Sequence, residues 1–419
     1  MPLNYRLSRR SLLVALAGLA TAGRLEAAAS SSRAPRRQLL SFGLRSSESR
    51  LIDVTQLSTY SITFPLETGC TAIRVAVGNV STQSYAIGGI CFCETHGWDA
   101  ADSAAWKYVT FSGASSEAGR PPGQACQPFV VPGNSQDGSH ADLLQLHWSD
   151  WLEYETVASD RPQMLFRVLV PEQTIPMSFP VGPGNMAEFL PNTPVRLVAQ
   201  AVTLGDYVTN PSALAHAANQ CFYSPLYVIQ YRTAVPGIQL VVGGDSHFSG
   251  WDNFAVQSAL ELSSPVLPIT VWNAAWAAQP SRRFLPALDA AIEYGRPSIS
   301  VIEGWAAADG MRADADENYL RKLDAVVTKT RQSGGVAIVV KGMPRNLYGT
   351  SELASWQRLH VELDNRWEDC VVFDPNKYVE DVDHGGNWKH DLSTDGIHPN
   401  ARGNAVLRAP FENVLKSLL

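Results

Sequence analysis

The sequence carries little charge and no concentrated block of it. Only 17% of its 419 residues are charged, against ~25% in an average globular protein, and the net charge is −7. No run of Lys and Arg occurs in the body of the chain. This composition argues against nucleic acid, and against an anionic membrane surface, as the main partner.

Long apolar runs are missing after the first thirty residues, so no transmembrane segment is predicted. At the N-terminus, three arginines precede the uncharged run 11–23, and Ala27-Ala28-Ala29 offers a small-residue cleavage site. The pattern predicts an export signal over residues 1–29 and a periplasmic or secreted protein. The paired arginines resemble a twin-arginine signal, and a general secretory signal is the alternative.

Spacings typical of metal and redox sites are also missing. The chain has six cysteines, which allow 15 full pairings, and the sequence does not choose among them. The polar loop 380–390 contains ligand-type side chains, but their spacing matches no specific metal site. We interpret it as a loop at the substrate mouth, with Trp388 able to stack on a sugar ring, and a solvated surface loop is the alternative. No metal is predicted.

The pattern of the chain changes twice. Residues 30–50 are rich in Ser and Arg with little periodicity, which indicates a linker. Residues 51–235 contain short strand-like segments separated by turn residues, which predicts an all-β sandwich domain of jelly-roll type. Strands and helices alternate over 236–419, which predicts an α/β domain with a parallel sheet. In such sheets the functional residues lie at the carboxyl ends of the strands.

One strand of the α/β region ends in a short polar sequence. The apolar run 238–242 is followed by two glycines, Asp245 and Ser246. A serine hydroxyl needs a base within hydrogen-bond reach to act as a nucleophile. Taken alone, the segment also fits a serine that caps the next helix.

A second segment supplies the missing base. In Asp395-Gly396-Ile397-His398-Pro399, an aspartate precedes a histidine by three residues. The imidazole of His398 can accept the proton of Ser246, and the carboxylate of Asp395 can fix the tautomer of the ring. The alternative is a surface turn beside an incidental histidine. Both segments together, at the two ends of one domain, favour a catalytic triad.

On these residues the chain resembles the SGNH (GDSL-type) hydrolase superfamily over about residues 238–419. The resemblance implies a flavodoxin-like three-layer domain, with Ser246 as nucleophile, His398 as base and Asp395 as its partner, and no cofactor. The serine lacks the Gly-x-Ser-x-Gly elbow of α/β-hydrolases.

Two further blocks of the family depart from its pattern. The second block usually supplies an oxyanion-hole glycine, and here the backbone amide of Ala277 or Ala278 would take that role. The third block usually supplies an asparagine, which is missing. Trp305 is a candidate donor and substrate-binding residue, with packing as its alternative, and Asn273 is a weaker candidate donor.

The sequence therefore predicts an exported serine esterase that hydrolyses carboxylic esters. Its substrate is expected to be a small-molecule ester or an acylated polysaccharide, with O-acetyl groups on a carbohydrate favoured by analogy of layout. The alternatives are an acyltransferase acting on glycans, a lipid or aryl esterase, and a glycan-binding protein with a residual hydrolase domain.

Overall fold

A computed structural model gives the structure of the chain. It describes residues 33–43, 49–95, 106–111, 128–134, 144–157, 162–178, 199–214, 219–221, 223–250, 252–277, 281–306, 313–346 and 348–419. The predicted export signal lies outside the described residues. No helix within these ranges is long and apolar enough to span a membrane.

A parallel sheet forms the C-terminal half of the fold. Its strand order is β16-β15-β17-β18-β19, which is the order of flavodoxin-like sheets. Apart from the long β15, the strands have three to five residues, and most of their residues are apolar and buried, as expected for strands covered on both faces. Their bounds are β15 Leu226–Gly243, β16 Ile269–Asn273, β17 Ile299–Glu303, β18 Val336–Val340 and β19 Val371–Phe373.

Helices cover both faces of this sheet and make three layers. Alternate residues of β15 point to opposite faces, so Leu240 packs with helices α2 and α7 while Val241 packs with α3, α4 and α5. The helices are α1 Ser246–Ser249, α2 Phe254–Leu262, α3 Ser281–Gly295, α4 Ala313–Gln332, α5 Thr350–Asn365, α6 Asn376–Val379 and α7 Ala401–Leu418.

The N-terminal half contains a six-stranded antiparallel sheet of order β14-β13-β3-β11-β6-β7. Two short pairs, β2 with β12 and β5 with β8, accompany it. The strands of this half are β1 Arg37–Gly43, β2 Ser49–Val54, β3 Ser58–Pro65, β4 Ala72–Asn79, β5 Tyr85–Ile87, β6 Gly89–Thr95, β7 Lys107–Tyr108, β8 Phe129–Val131, β9 Gln145–Trp148, β10 Leu152–Glu153, β11 Gln163–Val170, β12 Gln173–Ser178, β13 Ala199–Leu204 and β14 Asn219–Gln220.

The long strand β15 joins the two halves. Its first part pairs antiparallel with β1 and β4, and its last part pairs parallel with β16 and β17. One apolar core lies between the six-stranded sheet and this extension, with Phe64 and Phe166 facing Val75 and Ile229. The boundary predicted at 235/236 therefore falls inside a continuous strand, and a separate jelly-roll domain stays a prediction.

The linker expected over residues 30–50 is wrong for its middle part. Residues 37–43 form β1, which pairs with β15 over most of its length and meets β16 at Gly43. Leu40 and Phe42 are buried in the core between the sheets. The Ser- and Arg-rich composition hid this strand, because only its last four residues are buried.

Candidate active site

The nucleophile lies on a tight turn at the carboxyl end of β15. Helix α1 begins at Ser246, and the carboxylate of Asp245 caps it by accepting a hydrogen bond from the His247 N–H at 3.0 Å. Glycine fits position 244, because a Cβ there would lie 2.8 Å from Phe248 Cδ2 and 2.9 Å from Glu303 Cβ. The turn thus places Ser246 at the sheet edge where function is expected.

The base lies on a second turn, just before α7. Gly396 adopts a φ of +72°, a left-handed conformation that side chains other than that of glycine rarely take. The N–H groups of Ile397 and His398 both donate to Asp395 Oδ1 at 2.8 Å. Asn400 caps α7 by accepting from Gly403 N at 3.0 Å, which anchors the turn to a long helix.

The two turns bring the three predicted residues into contact. Ser246 Oγ lies 2.7 Å from His398 Nε2, and His398 Nδ1 lies 2.6 Å from Asp395 Oδ2. Because a carboxylate only accepts, the ring proton sits on Nδ1 and leaves Nε2 to accept the serine proton. This is the geometry of a Ser-His-Asp hydrolase triad.

The triad carboxylate stays ionised. Burial raises the pKa of Asp395, but the hydrogen bonds from His398 and from the two backbone amides outweigh it and hold the pKa well below its usual range. The side chains of His398 and Asp395 are 40% and 51% exposed. The His398–Asp395 pair of the triad is therefore accessible from solvent.

A second acid–histidine group lies directly beneath the triad. His247 Nδ1 is 2.9 Å from Asp245 Oδ1 and 3.2 Å from Glu303 Oε1, and all three residues are buried. On its other side, His247 Nε2 lies 3.0 Å from the carbonyl oxygen of Ile397, next to the catalytic histidine. This buried bridge connects the nucleophile turn with the base turn.

The buried bridge has an unusual charge distribution. Both ring nitrogens of His247 face acceptors, so the ring carries two protons. Burial opposes this charge, but Asp245 and its hydrogen bond raise the pKa of His247 well above its usual value. Burial, with the charge of Asp245, raises the pKa of Glu303 to about 8. The bridge therefore contains one ion pair and one carboxyl group that is largely neutral at pH 7.

The predicted oxyanion donors are only partly described. The Trp276 N–H donates to the carbonyl oxygen of Gly244 at 2.9 Å, which ties the segment before Ala277 to the nucleophile turn. Ala278 lies outside the described residues. Asn273 is fully buried, its amide donates to the Phe248 carbonyl at 2.9 Å, and its oxygen accepts from Ala275 N. Its role is thus to shape the turn and not to face a substrate.

The two tryptophans expected to bind substrate are core residues. Trp305 and Trp388 are each 4% exposed. The ring of Trp305 packs edge-on against Tyr348 at 5.4 Å, and Trp388 belongs to the core beside α2 and α7. Neither ring offers an open face to a sugar, which argues against the stacking role predicted for Trp388, and Trp305 packs in the core, which was the alternative to its donor role. Sequence could not tell these buried rings from exposed ones.

Ligand-type side chains of the loop 380–390 do not gather. Asp381 pairs with His384 at 3.0 Å, whereas His390 pairs with Asp391 at 2.8 Å. Within the described part of the chain, Asp245, His247 and Glu303 are the one group of three such side chains with ligand atoms within 4.8 Å of one another. Their short contacts join a protonated ring nitrogen to carboxyl oxygens of Asp245 and Glu303, which makes the group a hydrogen-bond network.

Sequence reasoning missed the roles of His247, Glu303 and Asn346. Glu303 is a carboxylate at the end of an apolar strand, a signal that marks functional strand ends. Asn346 donates its backbone N–H to the Gly396 carbonyl at 2.8 Å, and its side-chain oxygen accepts from Trp388 N. Nothing in the sequence near Asn346 indicates that it supports the base turn.

Comparisons with known proteins find similar solved structures. No protein-family model and no curated protein matches the chain. TesA is 22% identical, with a TM-score of 0.36 and 43% of this chain and 99% of that one covered. A GDSL-like lipase from Bacteroides thetaiotaomicron is 14% identical, with a TM-score of 0.35, and the match covers 43% of this chain and 88% of that one. The acetyl xylan esterase Axe2 from Geobacillus stearothermophilus is 16% identical, with a TM-score of 0.33, and the match covers 43% of this chain and 96% of that one. Each of the three matches covers 43% of this chain, and the catalytic interpretation rests on the contacts of Ser246, His398 and Asp395.

Proposed function

We propose that this protein is an exported serine esterase that removes acyl groups, foremost O-acetyl groups of a carbohydrate. The observation that carries the proposal is the unbroken chain of contacts from Ser246 Oγ through His398 to Asp395, at 2.7 and 2.6 Å. Nucleophile, base and orienting carboxylate are within hydrogen-bond distance before any substrate binds.

The chemistry follows from these contacts. Ser246 Oγ attacks the ester carbonyl carbon while His398 Nε2 takes the hydroxyl proton. The tetrahedral intermediate collapses, the C–O bond to the alcohol breaks, and His398 returns the proton to the leaving alcohol. Water then attacks the acyl-serine, with His398 again as base, and the acid product leaves. Asp395 stays ionised and stabilises the imidazolium in both steps.

The oxyanion requires hydrogen-bond donors on the side of Ser246 away from His398. We assign this role to the Ser246 N–H, which opens α1, and to the backbone N–H of Ala277 or Ala278. The tie between Trp276 and Gly244 supports the placement of Ala277 beside the nucleophile turn. Backbone donors would make the missing third-block asparagine dispensable.

The exposure of the triad supports a bulky substrate. With His398 and Asp395 about half exposed, an acyl group attached to a large carrier can reach Ser246. Export would place the enzyme where polysaccharides are found. An acceptor sugar hydroxyl in place of water would turn the same acyl-enzyme into a transferase, and the test below distinguishes the two.

The test is acetate release from acetylated xylan and from p-nitrophenyl acetate. Wild type is compared with Ser246→Ala and with Ser417→Ala, an exposed serine on α7. Activity on both substrates that is lost in Ser246→Ala alone would support the proposal. Equal, negligible release from all three proteins would overturn hydrolysis of acetyl esters. Slow release that becomes fast acyl transfer when a sugar acceptor is added would replace the esterase with a transferase.

A further inference from the structure

A cavity of about 660 Å³ lies at the opposite end of the parallel strands from Ser246. Ser246 follows the carboxyl end of β15, whereas the cavity is lined by Arg232 in the middle of that strand and by Arg296, which precedes β17. Residues of β1, β4 and α3 complete the wall. The volume lies within the range of roughly 300–1,000 Å³ typical of ligand sites.

The charge of the cavity is positive. Arg74, Arg232 and Arg296 line it, with Glu293 as the acidic side chain among the lining residues. Glu293 is already engaged by Lys329 at 3.1 Å. Among the described residues, no ion pair involves any of the three arginines, in a chain whose net charge is −7. The cavity thus offers unpaired positive charge to an anion.

Two of the arginines are held in place by tryptophans. The guanidinium carbon of Arg74 lies 4.4 Å from the ring centre of Trp148 and 4.7 Å from that of Trp151. The guanidinium of Arg232 stacks on Trp151 as well, at 4.5 Å. Arg74 Nε also donates to Gln230 Oε1 at 2.8 Å. Such stacking fixes the arginines before a ligand arrives, so less side-chain entropy is lost on binding.

Packing alone does not account for the whole arrangement. The stack of Trp148, Arg74 and Trp151 would hold the sheet surface together without any ligand. Arg296, however, comes from the end of α3 and faces the same cavity with its side chain exposed. Burial and the charge of Arg232 lower the pKa of Arg74, as expected for two cationic side chains that line one cavity.

We propose that this cavity binds an acidic sugar residue. A carboxylate matches the planar fork of a guanidinium and can be shared between Arg232 and Arg296. The exposed ring of Tyr294 lines the same space and suits the apolar face of a sugar ring. The site is remote from Ser246 and does not depend on the esterase chemistry.

The test measures binding to the full-length Ser246→Ala protein, so that hydrolysis cannot interfere. Trigalacturonic acid, neutral xylotriose and inorganic phosphate are titrated by calorimetry at low ionic strength. We expect trigalacturonic acid to bind, and its affinity to fall about ten-fold or more in Arg232→Gln and in Arg296→Gln. Arg321→Gln, which removes an exposed arginine of α4 outside the cavity, should leave the affinity unchanged.

Four results would overturn the proposal. They are no binding of trigalacturonic acid, equal binding of xylotriose, an affinity unchanged by both cavity substitutions, and phosphate binding as tight as that of the acidic sugar. The last result would make the cavity a general anion site. Circular dichroism of each variant confirms the fold, and both cavity substitutions alter exposed side chains.

Discussion

His398 and His247 lie 5.4 Å apart, measured between ring centres, and each ring nitrogen Nδ1 faces a carboxylate. The side chain of His398 is 40% exposed, and its Nε2 accepts from a hydroxyl that can give up its proton. His247 is buried, and its Nε2 donates to a backbone carbonyl oxygen, which has no proton to give up. Two histidines in similar pairs therefore have different chemistry.

The partner of Nε2 therefore decides the role of each histidine ring. His398 can shuttle a proton because its second nitrogen is free to accept. His247 keeps both protons, since each nitrogen has an acceptor, and it acts as a fixed bridge between the two turns. The exposed His398–Asp395 pair takes part in the proton transfer. The buried bridge of His247, Asp245 and Glu303 holds the nucleophile turn and the base turn at the distance that this transfer requires.

Removing the proton shuttle should have the largest effect. His398→Gln is expected to lower kcat for p-nitrophenyl acetate by about 10⁴-fold or more, because Ser246 loses its base. Thermal stability should change little, since the side chain is substantially exposed. Steady-state kinetics and a thermal melt check this. A residual rate within about 100-fold of wild type would show that another group activates Ser246.

Removing only the orienting charge should have a smaller effect. Asp395→Asn is expected to lower kcat by roughly 10²–10⁴-fold, because His398 loses its tautomer preference and the imidazolium loses its counter-charge. Asp391→Asn is the matched control, since Asp391 is an exposed aspartate near the same turn that pairs with His390 at 2.8 Å. If both variants were impaired equally, the effect would belong to the turn and not to the triad.

The sequence predicted the exposed pair and not the buried one. Ser246, Asp395 and His398 stand in two short segments with recognisable order, and the alternation of strands and helices after residue 236 predicted the parallel sheet. His247 and Glu303 are 56 positions apart along the chain. Their contact depends on β15 and β17 being neighbours in register, which the sequence alone does not state.

Contacts between distant parts of the chain also explain why the predictions for Trp388 and for residues 37–43 were wrong. Trp388 stands in a polar loop, yet its side chain turns into the core beside α7. The strand β1 stands in an Ser- and Arg-rich segment, yet its second half fills the space between two sheets. Local composition could not reveal either burial, because the covering residues come from distant parts of the chain.

Breaking the buried bridge should lower the rate without removing any reacting group. His247→Gln is expected to reduce kcat by about 10–100-fold with little change in KM, because Ile397 and the neighbouring His398 lose their support. His360→Gln is the matched control. His360 on α5 is partly buried, and its Nε2 lies 3.0 Å from the backbone carbonyl oxygen of Gly342. Its kcat should stay within about two-fold of wild type.

Dialysis against EDTA should leave wild-type activity intact, because a protonated His247 and not a metal ion holds Asp245 and Glu303 together. Loss of activity that a divalent cation restores would contradict this interpretation of the bridge.

For the two histidine variants, equal loss of kcat in His247→Gln and His360→Gln would assign the effect to general destabilisation.

Replacing Glu303 with glutamine, which cannot ionise, should have the smallest effect, seen in the pH dependence of stability. The folded pKa of Glu303, about 8, exceeds the ordinary value of 4.5, so the folded state holds a proton that the unfolded state releases. Stability is therefore lost as the pH rises between these two values. His247 acts in the same direction, since the stability from its raised pKa is lost as the pH rises through the folded value. Glu303→Gln removes the first contribution, so its Tm should fall less between pH 6 and 8 than that of wild type. Glu362→Gln is an exposed control on α5, and its Tm should follow the wild-type dependence on pH. If the Tm of Glu303→Gln ran parallel to that of wild type over this pH range, Glu303 would be ionised throughout.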